Sequence, residues 1–523
     1  MPSPTDPLPR DPDLLIQMIA DLKDRNARLE AEVAKYRRMV FGARSERMTS
    51  IVAEQGALDL GEAGTTAGEP GANDNAGPAD QQGPSGGHPR QPARRNVGGL
   101  PKHLPRVEQV IEPDTRQCRC CGGALHRIGE DVSEALDKVP AVLRVIRTVR
   151  PKYGCRACEG AVVQAKAPAR PVTGGMATTA LIAHIVTAKY AWHLPLYRQV
   201  QILLGQGVIL DRATLAFWVR RAAWWLRPLY EKLLGHIRSQ PCILCDETPL
   251  PRLDPGRGRT KIGQLWAQAV DDRPWRGPSP PAIGYVYAEG RRTVDISMQL
   301  ASFSGVLQVD GYVAYKGLTK PGRNAGPIRL AFCLAHARRK FVDVHAATGS
   351  PVAREVIARI AEVYAIEAKI KGLSADERRT LRQARSKPVM DALRPYLMEM
   401  LSQISQKSPL AGAIRYMLGH WEGLCLFLDD GRLAVDTNAV ERGMRPISLG
   451  RKNSLFAGSE GGGESWATLA SLINSAKLND LDPYTYLADV LDRMVTGETT
   501  IDRLDTLLPW NWKADRAALP AAA

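Results

Sequence analysis

The stretch Val306-Leu307-Gln308-Val309-Asp310-Gly311 decides how the fold of this chain is interpreted. A short apolar run that ends in a carboxylate and stops at a glycine is typical of a buried strand that delivers a charge to the edge of a sheet. A charge there is costly unless it is paired, so Asp310 requires a cation or a structural partner. From this stretch alone two interpretations remain open: Asp310 caps the turn at Gly311, or it binds a cation.

The segments around this stretch predict a mixed sheet. Three strands, a helix, the strand before Asp310, and then another strand followed by a basic helix form the order of an RNase H-like α/β fold. The first strand leads straight into Asp246, so both aspartates are expected at the ends of neighbouring strands. We expect this core to occupy residues 240–345 and 431–495, with a helical insertion at 346–430. The predicted strands are 243–245, 262–270, 283–288, 306–309 and 328–333, and the predicted helices are 295–300 and 336–342.

A third carboxylate lies in the motif Asn438-Ala439-Val440-Glu441-Arg442, among arginines and lysines. Asn438 and Glu441 also fit a capping box, and taken alone the motif favours a glutamate that only ties down its own helix. Like charges about 4 Å apart repel by about 4 kcal/mol at an effective dielectric of about 20, so three converging acids would need a divalent ion. Oxygen ligands suit Mg²⁺ or Mn²⁺, and such ions can activate water or a 3′-hydroxyl toward a phosphodiester. Asp246, Asp310 and Glu441 are therefore the candidate catalytic and metal-binding residues.

Within the insertion, Ser374 and Glu377 predict a capping box that opens a helix at 375–385. Four arginines cluster on that helix. They could grip phosphates, although a solvated helix face is the usual interpretation of such a run. They are Arg378, Arg379, Arg382 and Arg385.

Two Cys-x-x-Cys pairs predict a zinc-ribbon-like, zinc-binding domain at 101–165. Two such pairs in a small basic segment match a closed, tetrahedral, structural zinc site. The alternative is four unrelated buried thiols. The predicted Zn²⁺ ligands are Cys118, Cys121, Cys155 and Cys158.

Residues 170–238 are predicted to form a helix-turn-helix-like DNA-binding region. Helices are expected at 178–190, from Leu194 to the glycines at 205 and 207, and at 213–225, where Asp211 provides the cap. A helix, a glycine turn and a basic capped helix resemble DNA readers of this type, and generic helical packing is the competing interpretation. Core packing is favoured over base stacking for Trp218, Trp224 and Trp225.

A heptad pattern at 12–48 predicts a coiled-coil dimerisation helix, with Asn26 as a single polar residue in the seam. An amphipathic helix packed on its own chain is the alternative, and self-association into at least a dimer is favoured. Residues 49–100 have the composition of a disordered linker, and 496–523 form a C-terminal tail. The seam positions are Leu15, Ile19, Leu22, Asn26, Leu29, Val33, Tyr36 and Val40.

The charge balance points to a polyanionic partner. The chain of 523 residues carries a formal net charge of +15, with 44% hydrophobic and 24% charged residues. No apolar run approaches the roughly 20 residues that a membrane span needs, and the first residues lack a signal-peptide core. We therefore expect no membrane association and a cytoplasmic, nucleoid-associated protein. The side chains expected to bind DNA are Arg212, Arg220, Arg221, Arg338, Arg339, Lys340, Arg442, Arg445, Arg451 and Lys452.

A further set of motifs runs through the chain. They are Phe41-Gly42-Ala43-Arg44-Ser45-Glu46, Leu194-Pro195-Leu196-Tyr197-Arg198, Asp246-Glu247-Thr248-Pro249, Val309-Asp310-Gly311-Tyr312, Cys333-Leu334-Ala335-His336, Asn438-Ala439-Val440-Glu441-Arg442 and Gly450-Arg451-Lys452-Asn453. Together with the cysteine pairs, these motifs resemble the large subunit of DDE transposases of the bacterial insertion sequence sixty-six family, over nearly the whole chain.

The resemblance implies an RNase H-like catalytic core in which Asp246, Asp310 and Glu441 form the metal-binding triad. It implies DNA cleavage and strand transfer at the terminal inverted repeats of an element, followed by joining to target DNA. It also implies a coiled coil for self-association and small accessory proteins from the same element. Gly311 is expected to clear space beside the ion.

Two other functions remain open from the sequence. One is a catalytically silent DNA-binding regulator that derives from a transposase, against which the intact set of three acids argues. The other is a nuclease of the same fold that cleaves DNA without joining it. Metal-dependent cleavage of an inverted-repeat duplex would indicate a catalytic protein, whereas binding without cleavage would indicate the regulator.

Overall fold

The structure is a computed structural model that describes residues 143–150, 152–153, 163–164, 166–254 and 259–518. The predicted coiled coil at 12–48, the linker at 49–100 and the four predicted zinc ligands lie outside the described residues. Of the predicted zinc-binding domain, the structure describes a short antiparallel pair. Its strands are β1 (Lys152–Tyr153) and β2 (Val163–Gln164).

A five-stranded mixed sheet forms the centre of the larger described part. Its strands are β3 (Cys242–Asp254), β4 (Arg259–Val270), β5 (Ala282–Ala288), β6 (Gly305–Val309) and β7 (Ile328–Phe332). The order across the sheet is β5-β4-β3-β6-β7. β3 and β4 are antiparallel, as are β4 and β5, whereas β3, β6 and β7 run parallel. The five strands predicted from the sequence are confirmed in position and order.

Helices cover both faces of this sheet. Before it come α1 (Thr179–Tyr190), α2 (Leu196–Gly205) and α3 (Arg212–Arg238), and between its strands α4 (Thr293–Gln299) and α5 (Val313–Lys316). After it come α6 (Leu334–Thr348), α7 (Pro351–Ile370), α8 (Ala375–Leu381), α9 (Lys387–Gln403), α10 (Pro409–Gly419) and α11 (Trp421–Asp429). The last helices are α12 (Asn438–Asn453), α13 (Glu460–Leu478), α14 (Pro483–Thr496) and α15 (Pro509–Ala518). Among the described residues, none of these helices combines the length and apolarity that a membrane crossing requires.

The two faces of the sheet bury different helices because successive strand residues point to opposite sides. On β6, Leu307 joins a core that also contains side chains of α1, α3, α13 and α14. Its neighbour Val306 joins a second core with Phe341 of α6 and Val356 of α7. The insertion α7–α11 therefore packs on the face opposite the N-terminal helices.

Several elements run further than the sequence predicted, and β3 and α3 do so despite internal prolines. The strand expected at 243–245 continues to Asp254, because it pairs with β4 as far as the register Asp254↔Arg259. This strand tolerates Pro249 and Pro251 because its odd-numbered residues turn their backbone groups away from β4. The Pro251 carbonyl, for example, accepts a hydrogen bond from the Ala457 N–H at 2.8 Å. Likewise α3 continues from the predicted end at 225 to 238 despite an internal proline. Its apolar stripe stays buried at Leu226, Leu229, Leu233 and Ile237.

The insertion contains a buried arginine network. The predicted capping box at Ser374 and Glu377 is confirmed. Arg382 is fully buried, and its guanidinium donates two 2.7 Å bonds to the Glu367 carboxylate. Arg378, also buried, contacts the same carboxylate at 3.4 Å. For these two arginines, the predicted roles of binding phosphates or forming a solvated helix face are both wrong, because each side chain is buried and contacts Glu367. Arg382 also donates to the carbonyls of Phe427, Asp430 and Leu433.

Side chains of α13 bond to the outer strand β5. Ser471 Oγ accepts from Tyr285 N–H at 2.7 Å. Ser475 Oγ accepts from Ile283 N–H at 3.0 Å and donates to the Ile283 carbonyl at 2.8 Å. The helix is buried along most of its length, so these contacts are shielded from water.

Candidate active site

The parallel pairing of β3 and β6 brings the two predicted aspartates to one edge of the sheet. The register pairs Cys242 with Val306 and Leu244 with Gln308. Two residues further along each strand lie Asp246 and Asp310, on the same side as each other because side chains alternate with a period of two. Asp310 immediately follows the last residue of β6, as predicted, whereas Asp246 lies inside β3 rather than at its end.

Glu441 joins them from α12. This helix packs against β3 and β4, and Glu441 lies in its first turn. The negative charges of Glu441 and Asp310 both act on Asp246, where they help to raise its pKa. The structure thus brings the three predicted acids into one electrostatically coupled group.

The Asp246 carboxyl has a strongly raised pKa. Burial is the main reason that its pKa is raised to about 7, and the charge of Glu247 is the second. A hydrogen bond from the Glu247 N–H at 2.9 Å offsets part of this effect. A cation bound to this carboxylate would offset both the free-energy cost of burying its negative charge and the repulsion from the neighbouring acids.

Asp310 also caps the turn at Gly311, which was the alternative role predicted for it from the sequence. Its Oδ1 accepts from the Tyr312 N–H at 2.8 Å, across Gly311. Gly311 has a φ of +102°, and a Cβ there would lie 2.7 Å from the hydroxyl oxygen of Tyr416. In the structure the glycine clears space for Tyr416 of α10, and the expected space beside an ion stays a prediction.

Glu441 does not take part in the predicted capping box, and that interpretation is wrong. Thr437 is the N-cap of α12 and makes no side-chain capping bond. Asn438 bonds instead to Asp436, with its amide donating at 2.8 Å. Glu441 Oε1 accepts from the Thr437 hydroxyl at 3.1 Å, which orients the carboxylate.

A cysteine and a histidine lie beside Glu441, and sequence reasoning assigned them no role. Cys333 follows β7, and His336 is in the first turn of α6. Donor atoms of Cys333, His336 and Glu441 all lie within 4.8 Å of one another. Burial raises the pKa of the Cys333 thiol to about 11, and its sulfur accepts from Thr437 N–H at 3.3 Å. The Cys-x-x-His spacing, which begins at the last residue of a predicted strand, was the signal that could have found this pair.

Glu247 connects the two aspartate segments on the other face of β3. Its side chain is 1% exposed, and it accepts hydrogen bonds from Tyr315 at 2.7 Å and from Arg291. The Arg291 guanidinium lies 3.8 Å from the ring centre of Tyr312, which follows Asp310 by two residues. Glu247, adjacent to Asp246, thereby ties β3 to the segment that carries Asp310.

The predicted DNA-binding side chains differ in their surroundings. Two of them donate hydrogen bonds to main-chain carbonyls of the chain itself: Arg221 to that of Pro171 at 3.0 Å, and Arg451 to that of Pro249. Arg221 also stacks on Trp224 at 4.1 Å, and Trp224 is 56% exposed, so its predicted place in the core is wrong. Trp218 is buried, as predicted. Arg338 is half-buried, and the exposed members are Arg212, Arg220, Arg339, Lys340, Arg442, Arg445 and Lys452.

Comparison with known proteins identifies the family. A model described as "Transposase IS66 family" matches residues 174–465, which hold the whole sheet and all three acids. The chain belongs to the IS66 transposase family, and the resemblance seen in its motifs is confirmed. A zinc-finger model of the same transposases matches 115–159, which include all four predicted cysteine ligands. Two further models, "IS66 C-terminal element" and "Transposase C of IS166 homeodomain", match 471–510 and 28–108.

Similar proteins occur in Sinorhizobium fredii. The uncharacterized protein y4jD is 58% identical, over 98% of this chain and 99% of its own length. The uncharacterized protein y4qI is 41% identical over 94% of this chain and 90% of its own. Both extend along almost the entire sequence, so the relationship includes the segments on either side of the sheet.

Proposed function

We propose that this protein is a DNA transposase that binds the terminal inverted repeats of its element and catalyses metal-dependent strand cleavage and strand transfer. The observation that carries the proposal is the grouping of Asp246, Asp310 and Glu441 beside one edge of the sheet in a transposase-family chain. The strand order and directions support an RNase H-like catalytic core.

The chemistry of the three acids suits a hard divalent ion. Asp246, Asp310 and Glu441 would hold Mg²⁺ or Mn²⁺, because carboxylate oxygens are the ligands these ions prefer. When bound, the ion would supply activation of the attacking hydroxyl and stabilisation of the leaving oxygen. Separately, Cys118, Cys121, Cys155 and Cys158 would hold a structural Zn²⁺ in the segment that matches the zinc-finger model.

The protein's own groups would position the acids and the DNA backbone. The Tyr312 N–H orients Asp310, and the Thr437 hydroxyl orients Glu441. Exposed cations on α6 and α12 flank the acids and would bind phosphates without reading sequence. Arg212 and Arg220, exposed on α3, would serve the helix-turn-helix-like region. The cations on α6 and α12 are Arg339, Lys340, Arg442, Arg445 and Lys452.

The remaining parts of the proposal concern assembly. Segment 12–48 would join at least two copies, so that two element ends can be held together. Accessory proteins of the same element would complete the complex. The place of action would be the bacterial nucleoid in the cytoplasm, where the double-stranded DNA substrate lies.

Cleavage and joining assays on an inverted-repeat duplex would test the proposal. We expect nicking and strand joining only with Mg²⁺ or Mn²⁺, and a loss of at least about 100-fold in Asp310→Asn and Glu441→Gln, with duplex binding retained. Asp343→Asn, at an exposed acid of α6, is the matched control and should keep parental activity. Equal joining rates in all three variants would refute the assignment. Metal-independent binding without cleavage by the parent would favour the silent regulator, and cleavage without joining would favour a nuclease.

A further inference from the structure

Within the part of the chain that the structure describes, a buried histidine nitrogen beside Glu441 has no hydrogen-bond partner. Among the described residues, His336 Nδ1 is shielded from water and forms no hydrogen bond. It lies 3.8 Å from Glu441 Oε1, which is too long for a hydrogen bond. Leaving a buried polar atom unpaired is unfavourable, so this position requires an explanation.

The separation of the two atoms suits two ligands of one ion. Metal–ligand bonds of about 2.1 Å to nitrogen and oxygen place two ligand atoms about 3–4 Å apart, depending on the angle between them. The 3.8 Å between Nδ1 and Oε1 falls within that range. Neither atom would need a new backbone position to share an ion.

The Glu441 side chain and the start of α6, which carries His336, are both held in place. Glu441 accepts from the Thr437 hydroxyl at 3.1 Å, and the Thr437 N–H donates to Cys333 Sγ at 3.3 Å. Cys333 N–H donates to the Val309 carbonyl at 3.0 Å, which fixes the start of α6 against the end of β6. The sulfur is thus occupied in aligning Thr437, and the histidine is the member of the pair that faces the acid.

We propose that His336 is a fourth ligand of the metal site and shares an ion with Glu441 through Nδ1. This inference rests on the proposed function and goes beyond its three carboxylates. An imidazole nitrogen favours Mn²⁺ and other transition ions over Mg²⁺ and Ca²⁺, which prefer oxygen. The site would therefore bind Mn²⁺ more tightly than Mg²⁺, and His336 would account for the difference.

Mn²⁺ binding to the full-length protein tests the inference without relying on activity. Pulsed electron paramagnetic resonance of the Mn²⁺ complex should show coupling to a ¹⁴N nucleus in the parent. The coupling should vanish in His336→Ala and His336→Gln, and Mn²⁺ affinity measured by calorimetry should fall about 10-fold or more, with a smaller loss for Mg²⁺. His345→Ala is the matched control on the same helix, since His345 contacts the Ser350 carbonyl at 3.1 Å, and it should retain the coupling.

The outcomes separate this inference from the proposed function. Unchanged ¹⁴N coupling in His336→Gln, or none in the parent, would overturn the histidine ligand. If Asp310→Asn weakens Mn²⁺ binding while His336→Gln does not, the three-acid site stands and only the fourth ligand is lost. If Asp310→Asn binds Mn²⁺ as tightly as the parent, the acid site itself is wrong. Should His336→Ala unfold, the glutamine variant, whose side chain is larger and polar, decides.

Discussion

The Tyr416 hydroxyl donates a 2.9 Å hydrogen bond to the main-chain carbonyl of Asp310. Tyr416 belongs to α10 of the insertion, so the insertion touches the backbone of the candidate metal ligand directly. Lys340 of α6 lies 4.4 Å from the centre of the same tyrosine ring. The insertion therefore contacts the candidate site through Tyr416, besides forming a helical layer on one face of the sheet.

Gly311→Ala should destabilise the protein by about 2–3 kcal/mol. Part of the loss comes from the φ of +102°, and part from a Cβ placed 2.7 Å from the Tyr416 hydroxyl. Gly322→Ala is the control, because Gly322 has a φ of +90° and nothing within 4 Å of an added Cβ. Its cost should be only about 1 kcal/mol. Denaturant unfolding measures both, and adding Tyr416→Phe to Gly311→Ala should recover part of the loss. No recovery would show that the tyrosine contact is not the cause.

Glu247→Gln should lower strand cleavage more than 10-fold while duplex binding persists. The variant weakens the bonds to Arg291 and Tyr315 and loosens the segment that carries Asp310. The loss of stability should be about 1–3 kcal/mol, because Arg291 is 46% exposed and can be rehydrated. Glu231→Gln, which affects an ion pair with Arg227 that is exposed on both sides, should change both quantities little. Similar losses in the two variants would argue against a positioning role for Glu247.

Arg382→Ala should be the most destabilising arginine substitution in the insertion, at about 3–5 kcal/mol. The substitution leaves Arg378 as the remaining arginine that contacts the buried Glu367 carboxylate. It also removes the hydrogen-bond donor of three main-chain carbonyls. Arg379→Ala is the comparison, since that side chain is 56% exposed. We expect the Arg379 variant to unfold within about 0.5 kcal/mol of the parent in urea. The interpretation fails if the two variants unfold at the same denaturant concentration.

Asp246→Asn should stabilise the protein without added divalent metal, and more so at high pH. The folded-state pKa of about 7 lies above the ordinary value of 3.8, so ionisation of this carboxyl opposes folding. The cost is absent below about pH 4, grows as pH rises, and is complete above about pH 7. The gain from asparagine, on the order of 2 kcal/mol, should therefore appear at pH 8 and shrink at pH 5.

Thermal unfolding at the two pH values measures this gain. Asp376→Asn serves as the control, because its side chain is 93% exposed and its replacement should have little effect at either pH. If the gain in stability from Asp246→Asn is equal at pH 5 and pH 8, ionisation of the Asp246 carboxyl is not the cause of that gain.

Much of the sheet was predictable because strand signals are local. The apolar run before Asp310 and the glycine after it mark the end of β6 by themselves. The length of β3 was not predictable in the same way, since Pro249 and Pro251 normally indicate a break and only pairing with β4 overrides them. The burial of Arg382 depends on Glu367 and on carbonyls from a distant helix, and no local pattern encodes those partners.

In the candidate site, too, some features follow from local sequence and others depend on distant partners. Asp310 and Glu441 stood out because each lies in a distinctive motif. The approach of His336 to Glu441 depends on how α6 and α12 pack against the sheet, which a single sequence does not reveal. For Gly311, the sequence indicated the need for space, but the group that fills it comes from the insertion.

The serine contacts of α13 have a consequence for how copies of this protein can meet. An outer strand with open amides is a template for cross-chain pairing and for aggregation. On β5 the Ile283 and Tyr285 amides are already satisfied by Ser475 and Ser471. A second molecule therefore cannot extend the sheet at these positions. Copies that meet at high local concentration therefore have to associate through surfaces other than these positions of β5.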